Sequence, residues 1–380
     1  MFDEIVGQIR KLHKKEQGFI PLHAPVFKGN EKKYVAETID STFVSSVGEF
    51  VVQFEKMMKE ITGARHAIAI VNGTCALHLA LLLAGVEKEE EVITQTLTFV
   101  ATANAIAHAN AHPHFVDVDK DTLGLSPSKL NEHLEKIAEI RNGKCYNKIT
   151  GRRIAACVPM HTFGLPLRID EVVEVCNRFF IPVVEDSTES IGSYYKGKHT
   201  GTFGKLGTFS FNGNKTITCG AGGAIITDDD AIGKKAKHLS TTAKIPHAWA
   251  FEHDEVAYNY RMPNLNAALA CAQLEQLDAF VQDKRALAND YKKSFASLPI
   301  TMVTEIADAK ANYWLCCLLL KDRSEKDAFL AFSNEKQVMT RPAWQLMHRL
   351  PMYNKCFHGN LDNSEWLEER IVNIPSSVRI

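Results

Sequence analysis

Between residues 67 and 184 short apolar runs alternate with helical patterns, and no other feature of the chain constrains its fold as tightly. Residues 67–71 read as a strand, and 74–84 as a helix that is apolar on nearly every side. A strand over 91–94, a helix over 101–109 and a strand over 114–118 follow. Next come a strand over 154–158, an amphipathic helix over 169–179 and a strand over 181–184. The strands are continuous apolar runs, as strands covered on both faces must be. The pattern predicts an α/β fold, a large and mostly parallel sheet with helices on both sides.

Beyond residue 262 the pattern changes. A long helical segment over 264–297, rich in Ala, Leu, Gln and Lys, leads to a strand at 313–320, a helix at 325–334 and a strand at 337–340. This divides the chain into residues 1–262, an N-terminal extension with a large domain, and 263–380, a connecting helix with a smaller α/β domain. Residues 243–255 lack periodicity and read as a loop.

A formal net charge of −1, with no basic cluster, gives no electrostatic reason for a nucleic-acid or membrane partner. The nine cysteines are scattered, odd in number and include the adjacent pair Cys316 and Cys317, which suits a reducing compartment. The N-terminal residues have helical spacing with interspersed charges and no continuous apolar core. The longest apolar run, over 75–86, is interrupted by His78 and is too short to span a bilayer. Together these features predict a cytoplasmic protein.

Three places can carry chemistry. Asp186 follows the run Ile181-Pro-Val-Val-Glu185, at the carboxyl end of a buried strand, where open α/β sheets bind their ligands. A carboxylate there can pair with a protonated pyridine nitrogen; the plainer role is a helix N-cap. Lys215 ends the stretch Thr208-Phe-Ser-Phe-Asn-Gly-Asn-Lys215 before a glycine-rich tract. It reads either as a desolvated nucleophilic amine or as a lysine in a surface turn. Gly73 and Thr74 open a helix directly after a strand, an anion-binding junction or an ordinary capped start.

Nucleotide-binding loops fail letter by letter. Gly204-Lys205 is followed by Leu206, and His199 stands where a P-loop needs its first glycine. Gly220 and Gly222 are followed by Ile225, which breaks the dinucleotide pattern. His108, His112 and His114 are closely spaced, but Pro113 intervenes and no carboxylate or thiolate is matched to them, so no metal is expected.

In order along the chain, several segments resemble the DegT/DnrJ/EryC1/StrS family of sugar aminotransferases. They are Ser45-Ser-Val-Gly-Glu49, Val71-Asn-Gly-Thr74, Thr96-Leu-Thr-Phe-Val-Ala-Thr102 and His161-Thr-Phe-Gly164, followed by Val184-Glu-Asp186, the Thr208–Lys215 stretch and Tyr258-Asn-Tyr-Arg261. The likeness implies the pyridoxal-phosphate (PLP) transferase fold type I of aspartate aminotransferase. By that likeness Lys215 is the Schiff-base lysine and proton carrier, and Asp186 is the partner of the pyridine nitrogen. Phe99 matches the ring-stacking position, and Gly73, Thr74 and Ser210 match the phosphate site. Glu189 falls near the cofactor. Asn259 matches an asparagine that reaches the phosphate of the neighbouring subunit, which implies a homodimer.

Within the family, Asn30-Glu-Lys-Lys-Tyr34, residues 39–46, Phe211–Lys215 and Thr340-Arg-Pro-Ala-Trp344 are similar to the legionaminic-acid-pathway subgroup. That likeness implies amination at C4 of a UDP-linked 4-keto-6-deoxy-N-acetylhexosamine with L-glutamate as donor. Arg341 and Trp344 then fall on the substrate side of the pocket. The alternatives are a C3-specific enzyme or a PLP-dependent sugar dehydratase. Related dehydratases carry histidine where this chain has Lys215.

Overall fold

Seven strands line up side by side in the computed structural model, which describes residues 1–379. His66–Ile70, Gly223–Thr227, Leu206–Ser210 and Val184–Asp186 are hydrogen-bonded in that order. The parallel bridges Cys157–Val183 and Met160–Asp186 join them to Ile154–Val158, Glu91–Gln95 and His112–Val116. Only Gly223–Thr227 runs against the others, pairing antiparallel with a neighbour on each side. The sheet is mostly parallel as the sequence predicts; the sequence analysis assigned no element to that one antiparallel strand, whose residues follow a glycine-rich tract.

Alternation along the strands covers both faces. Ile68, Ile70, Val92 and Ile225 point into one core with the helices Gly73–Leu83 and Val100–His108. Ala67, Ala69, Ala224 and Ile226 point into another, against Glu49–Thr62 and Asn264–Leu274. Ile93, Val116, Ile154 and Cys157 pack on the helices Pro127–Ile137 and Ile169–Arg178. The apolar surface of Gly73–Leu83 is explained by its place: residues 76 to 81 are all buried. Each fully buried Leu or Ile contributes about 1.5–3 kcal/mol.

Strand edges differ from the sequence reading for identifiable reasons. The strand expected at 181–184 begins its ladder at Val184, after Pro182, which has no N–H to donate. The strand expected at 114–118 is His112–Val116. It carries Pro113 at the sheet's edge, where a missing donor costs nothing. The helix expected over 264–297 breaks into Asn264–Leu274 and Leu277–Ser294. At the break Gln276 Nε2 donates to the Ala272 carbonyl, 3.3 Å away, and to Glu31, 2.7 Å away, so side-chain bonds replace part of the helix ladder. Within the expected loop at 243–255, Lys244–Ile245 pairs with Glu252–His253 in a small hairpin.

The C-terminal region builds an antiparallel sheet in the order Thr301–Met302, Cys316–Leu319, Ile371–Ile374, Arg341–Pro342, beside the helix Arg323–Glu335. The strand expected at 337–340 is replaced by an isolated bridge from Val338 to Ile20. The N-terminal helix Phe2–Leu12 also packs here, placing Ile5, Val6 and Ile9 in one core with Leu287, Tyr291 and Phe329. No helix among the described residues is long and apolar enough to cross a membrane.

Candidate active site

Strands that run the same way end on the same edge of the sheet, and the loops that follow them meet there. A cavity of about 330 Å³ opens at this edge. Asn72, Gly73 and Thr74 line it after the strand His66–Ile70, and Phe99 and Thr102 after Glu91–Gln95. Asp186, Thr188 and Glu189 come from the end of Val184–Asp186. Ser210, Asn212, Asn214 and Lys215 come from the end of Leu206–Ser210. Trp314 and Trp344 close it from the C-terminal region.

Asp186 is buried and its carboxylate is fixed on both oxygens. Thr102 Oγ1 donates to Oδ2 at 2.7 Å, while Thr188 donates its hydroxyl to Oδ1 at 2.6 Å and its backbone N–H at 3.2 Å. The capping role open to Asp186 in the sequence is not taken, since a turn and not a helix follows it. Lys215 is not a surface turn lysine either. Its side chain is 12% exposed, and its Nζ lies 3.1 Å from Glu189 Oε1 and 4.0 Å from the centre of the Trp314 ring. Burial pushes the Glu189 carboxyl up to about 7, against the opposing pull of Lys215 and the Phe163 N–H, which donates to Oε2 at 2.8 Å.

The helix start is free for an anion. Asn72, and not Thr74, is the N-cap, accepting from Cys75 N at 2.8 Å, so the Thr74 hydroxyl is left to the cavity. Gly73 must be glycine here: a Cβ would lie 2.7 Å from Ser210 Cβ and 3.3 Å from Thr188 Cγ2. This close approach brings the Ser210 hydroxyl beside the first turn of the helix, adding a donor to the free N–H groups. Phe99 is 45% exposed on the cavity wall, and its ring lies 6.0 Å from that of Trp344, which packs at 4.9 Å on Phe163.

Two residues named from the sequence lie elsewhere. Arg341 does not line the cavity. It is exposed, and its guanidinium donates to Asn334 Oδ1 at 3.0 Å and to the Thr340 carbonyl at 2.8 Å, because the chain turns it outward at the short strand Arg341–Pro342. Asn259 is also exposed and outside its own chain's cavity, where it accepts from Arg261 Nε at 2.8 Å.

The histidines considered for metal do not converge. His112 pairs with Glu89, and His114 with Glu91 and His133. The described residues do bring His238, Asp254 and Glu255 together at the surface, where Lys235 already pairs with Glu255. The sequence reading missed Thr102, Asn212, Asn214 and Trp314 as parts of the site. Thr102, Asn212 and Asn214 stood inside quoted motifs but carried no signal of their own, and Trp314 comes from the bend before the distant strand Cys316–Leu319.

The donor set fits pyridoxal phosphate. One end of the cavity offers backbone N–H groups and hydroxyls for a phosphate, the middle a fixed carboxylate for a ring nitrogen, and the far side a primary amine for a carbonyl carbon. Fold and site together define a PLP-dependent transferase of the aspartate-aminotransferase type. A family model described as the DegT/DnrJ/EryC1/StrS aminotransferase family matches residues 25–380, and the chain belongs to that family. It is a PLP-dependent sugar aminotransferase.

The chain is 37% identical over 360 residues to GDP-perosamine synthase of Escherichia coli O157:H7, covering 94% of this chain and 93% of that one. It is 34% identical to GDP-perosamine synthase of Vibrio cholerae over 362 residues, with 94% of each chain covered. Among solved structures it resembles the aminotransferase TlmJ from Streptoalloteichus hindustanus, with a TM-score of 0.85, 25% identity and 94% of each chain covered.

Proposed function

We propose that the protein moves an amino group from L-glutamate to C4 of a UDP-linked 4-keto-6-deoxy-N-acetylhexosamine, for surface-glycan or nonulosonic-acid synthesis. The observation that carries the reading is the meeting of Lys215, Asp186 and the Gly73–Thr74 helix start in one cavity. The sequence likeness to the legionaminic-acid subgroup supports the UDP-linked acceptor. A second reading, a GDP-linked 4-keto sugar, is favoured by the similarity to the GDP-perosamine synthases.

When bound, pyridoxal phosphate supplies an electrophilic carbon for covalent capture of amines and a ring that accepts their electrons. The chain does the rest. Thr74, Ser210 and the N–H groups at the start of Gly73–Leu83 hold the phosphate. Asp186, fixed by Thr102 and Thr188, keeps the ring nitrogen protonated, and Phe99 covers one ring face. Lys215 anchors the cofactor, yields to the incoming amine, and with its freed amine carries the proton taken from the donor's α-carbon. Trp344 forms part of the sugar side.

The working unit in this reading is a homodimer in which Asn259 reaches the partner's phosphate site. Its exposure outside its own cavity supports this. So do the nearby Trp249, Phe251 and Val256, which are 82%, 83% and 93% exposed. A cytoplasmic location is supported by nine cysteines that are all unpaired. Incubation with L-glutamate and either a UDP-4-keto-6-deoxy-N-acetylhexosamine or its GDP-linked hexose counterpart tests the substrate, with the product read by NMR. Amine at C4 of the UDP sugar is the expected result. Turnover of the GDP sugar alone selects the second reading, and amine at C3 overturns both.

A further inference from the structure

A lysine that anchors a cofactor must leave it in each half-reaction and, once it has taken the substrate's proton, wait nearby as a cation. The surroundings of Lys215 contain a place for it to wait. Its Nζ lies between the Glu189 carboxylate, at 3.1 Å, and the face of the Trp314 indole, at 4.0 Å, both at the cavity wall. A carboxylate and an aromatic face each favour an ammonium over a neutral amine.

The two walls of this socket are tied to each other. Asn312 is fully buried, accepts from the Trp314 backbone N–H at 2.8 Å, and donates its amide hydrogens to the carbonyls of Glu189, at 2.9 Å, and Ile191, at 2.8 Å. A Cβ at Gly164 would collide with the Asn312 side chain, so that glycine, at φ +87°, keeps room for it. The indole is held at its other end too. Trp314 Nε1 donates to the Asn214 carbonyl at 2.6 Å, one residue before Lys215, and the buried Lys284 Nζ donates to the Trp314 carbonyl at 3.2 Å. Five hydrogen bonds therefore fix a wall that faces the Lys215 amine.

We propose that Glu189 and Trp314 form an ammonium socket for Lys215, set by Asn312, in which the lysine rests while it carries the substrate's proton. This rests on the assignment of Lys215 as the covalent anchor. In the step served, the C–H bond at the donor's α-carbon breaks, an N–H bond forms on Lys215 Nζ, and the electron pair passes to the cofactor ring. The same proton then leaves Nζ to form a C–H bond at the cofactor carbon that holds the amino nitrogen, the electron pair returning from the ring into that bond, and the amine becomes neutral again. Glu189, Trp314 and Asn312 are positioning residues that hold the charged form at a fixed distance.

Pulse acetylation of the cofactor-free protein, with Lys215 read by mass spectrometry against exposed lysines of the same chain, tests the socket without catalysis. Trp314→Leu and Glu189→Gln should each raise the Lys215 rate about fivefold, as the loss of roughly one such contact implies, and Trp314→Phe should raise it less. In the loaded enzyme, the pH profile of the glutamate half-reaction should shift in Trp314→Leu and return in Trp314→Phe. The phenylalanine variant keeps an aromatic face and is the conservative control, and the nearly isosteric Glu189→Gln serves if the leucine variant fails to fold. Labelling rates within twofold of the parent in both Glu189→Gln and Trp314→Leu, with an unmoved pH profile, would overturn the socket. A Lys215→Ala protein that still turned over would overturn the anchor assignment itself and the socket with it.

Discussion

Replacing Thr102 with Val removes one hydrogen bond and almost no volume, and its consequence can be worked out from the geometry. Thr102 has a single hydroxyl hydrogen, which goes to Asp186 Oδ2 at 2.7 Å. Thr98 Oγ1, 2.8 Å from Thr102 Oγ1, has Met160 Sδ as another acceptor, so it loses little. Asp186 loses its only side-chain donor on Oδ2, inside a buried site, and keeps Thr188 on Oδ1 alone. A hydrogen bond to a charged group contributes about 1.5–3 kcal/mol, so the cofactor-free protein should lose roughly 2 kcal/mol and melt a few degrees lower. Because the carboxylate is also freed to rotate away from a ring nitrogen, pyridoxal-phosphate affinity should fall about tenfold, an added ~1.4 kcal/mol. Thr102→Ser keeps the donor and should bind nearly as the parent does. Calorimetry and an absorption titration read the two quantities. A valine variant with unchanged melting and unchanged affinity would refute the claim that Thr102 fixes Asp186.

Other perturbations have equally definite outcomes. Gly73→Ala forces a Cβ to within 2.7 Å of Ser210 Cβ, an overpacking of about 1–3 kcal/mol at the phosphate end, so cofactor affinity should drop at least tenfold in the same titration. Trp344→Ala removes an indole packed on Phe163 and Phe99, and should raise the KM for the sugar about tenfold while that for glutamate moves less than twofold in steady-state assays. Burial and the neighbouring His114 lower the His133 imidazole to about 3, so folding favours its neutral form. That contribution is complete above the unfolded value of 6.5 and is lost as pH falls toward 3, by about 2 kcal/mol at pH 5. Urea midpoints at pH 7.5 and pH 5 should therefore differ less in His133→Gln than in the parent.

The parts of the site that the sequence exposed are those with local signatures. Asp186 was legible because it ends an apolar run, and a strand end in an α/β sheet is where ligands bind. Gly73 and Thr74 were legible as a strand-to-helix junction, although the cap proved to be Asn72. Lys215 alone resembled any turn lysine, and only the order of several motifs singled it out. Thr102, Asn312 and Trp314 were hidden for a physical reason. Their roles depend on contacts across 84 residues to Asp186, 123 to Glu189 and 100 to Asn214, which no local spacing encodes. Arg341, placed on the substrate side by the likeness of Thr340-Arg-Pro-Ala-Trp344 to the subgroup, lies outside the cavity because its guanidinium is tied to Asn334 and the Thr340 carbonyl. The antiparallel strand Gly223–Thr227 was masked by glycines, whose weak strand preference is overridden by pairing on both sides.

The central claim, that Lys215 anchors pyridoxal phosphate and passes amino groups through it, is tested most directly by one spectrum. The purified protein with pyridoxal phosphate should show the absorption band of the lysine–cofactor adduct, lose it on adding excess L-glutamate, and regain it on adding the 4-keto sugar nucleotide. The Lys215→Ala protein should show none of these changes. A band that forms in Lys215→Ala as in the parent, or one that never forms in the parent, would contradict the account.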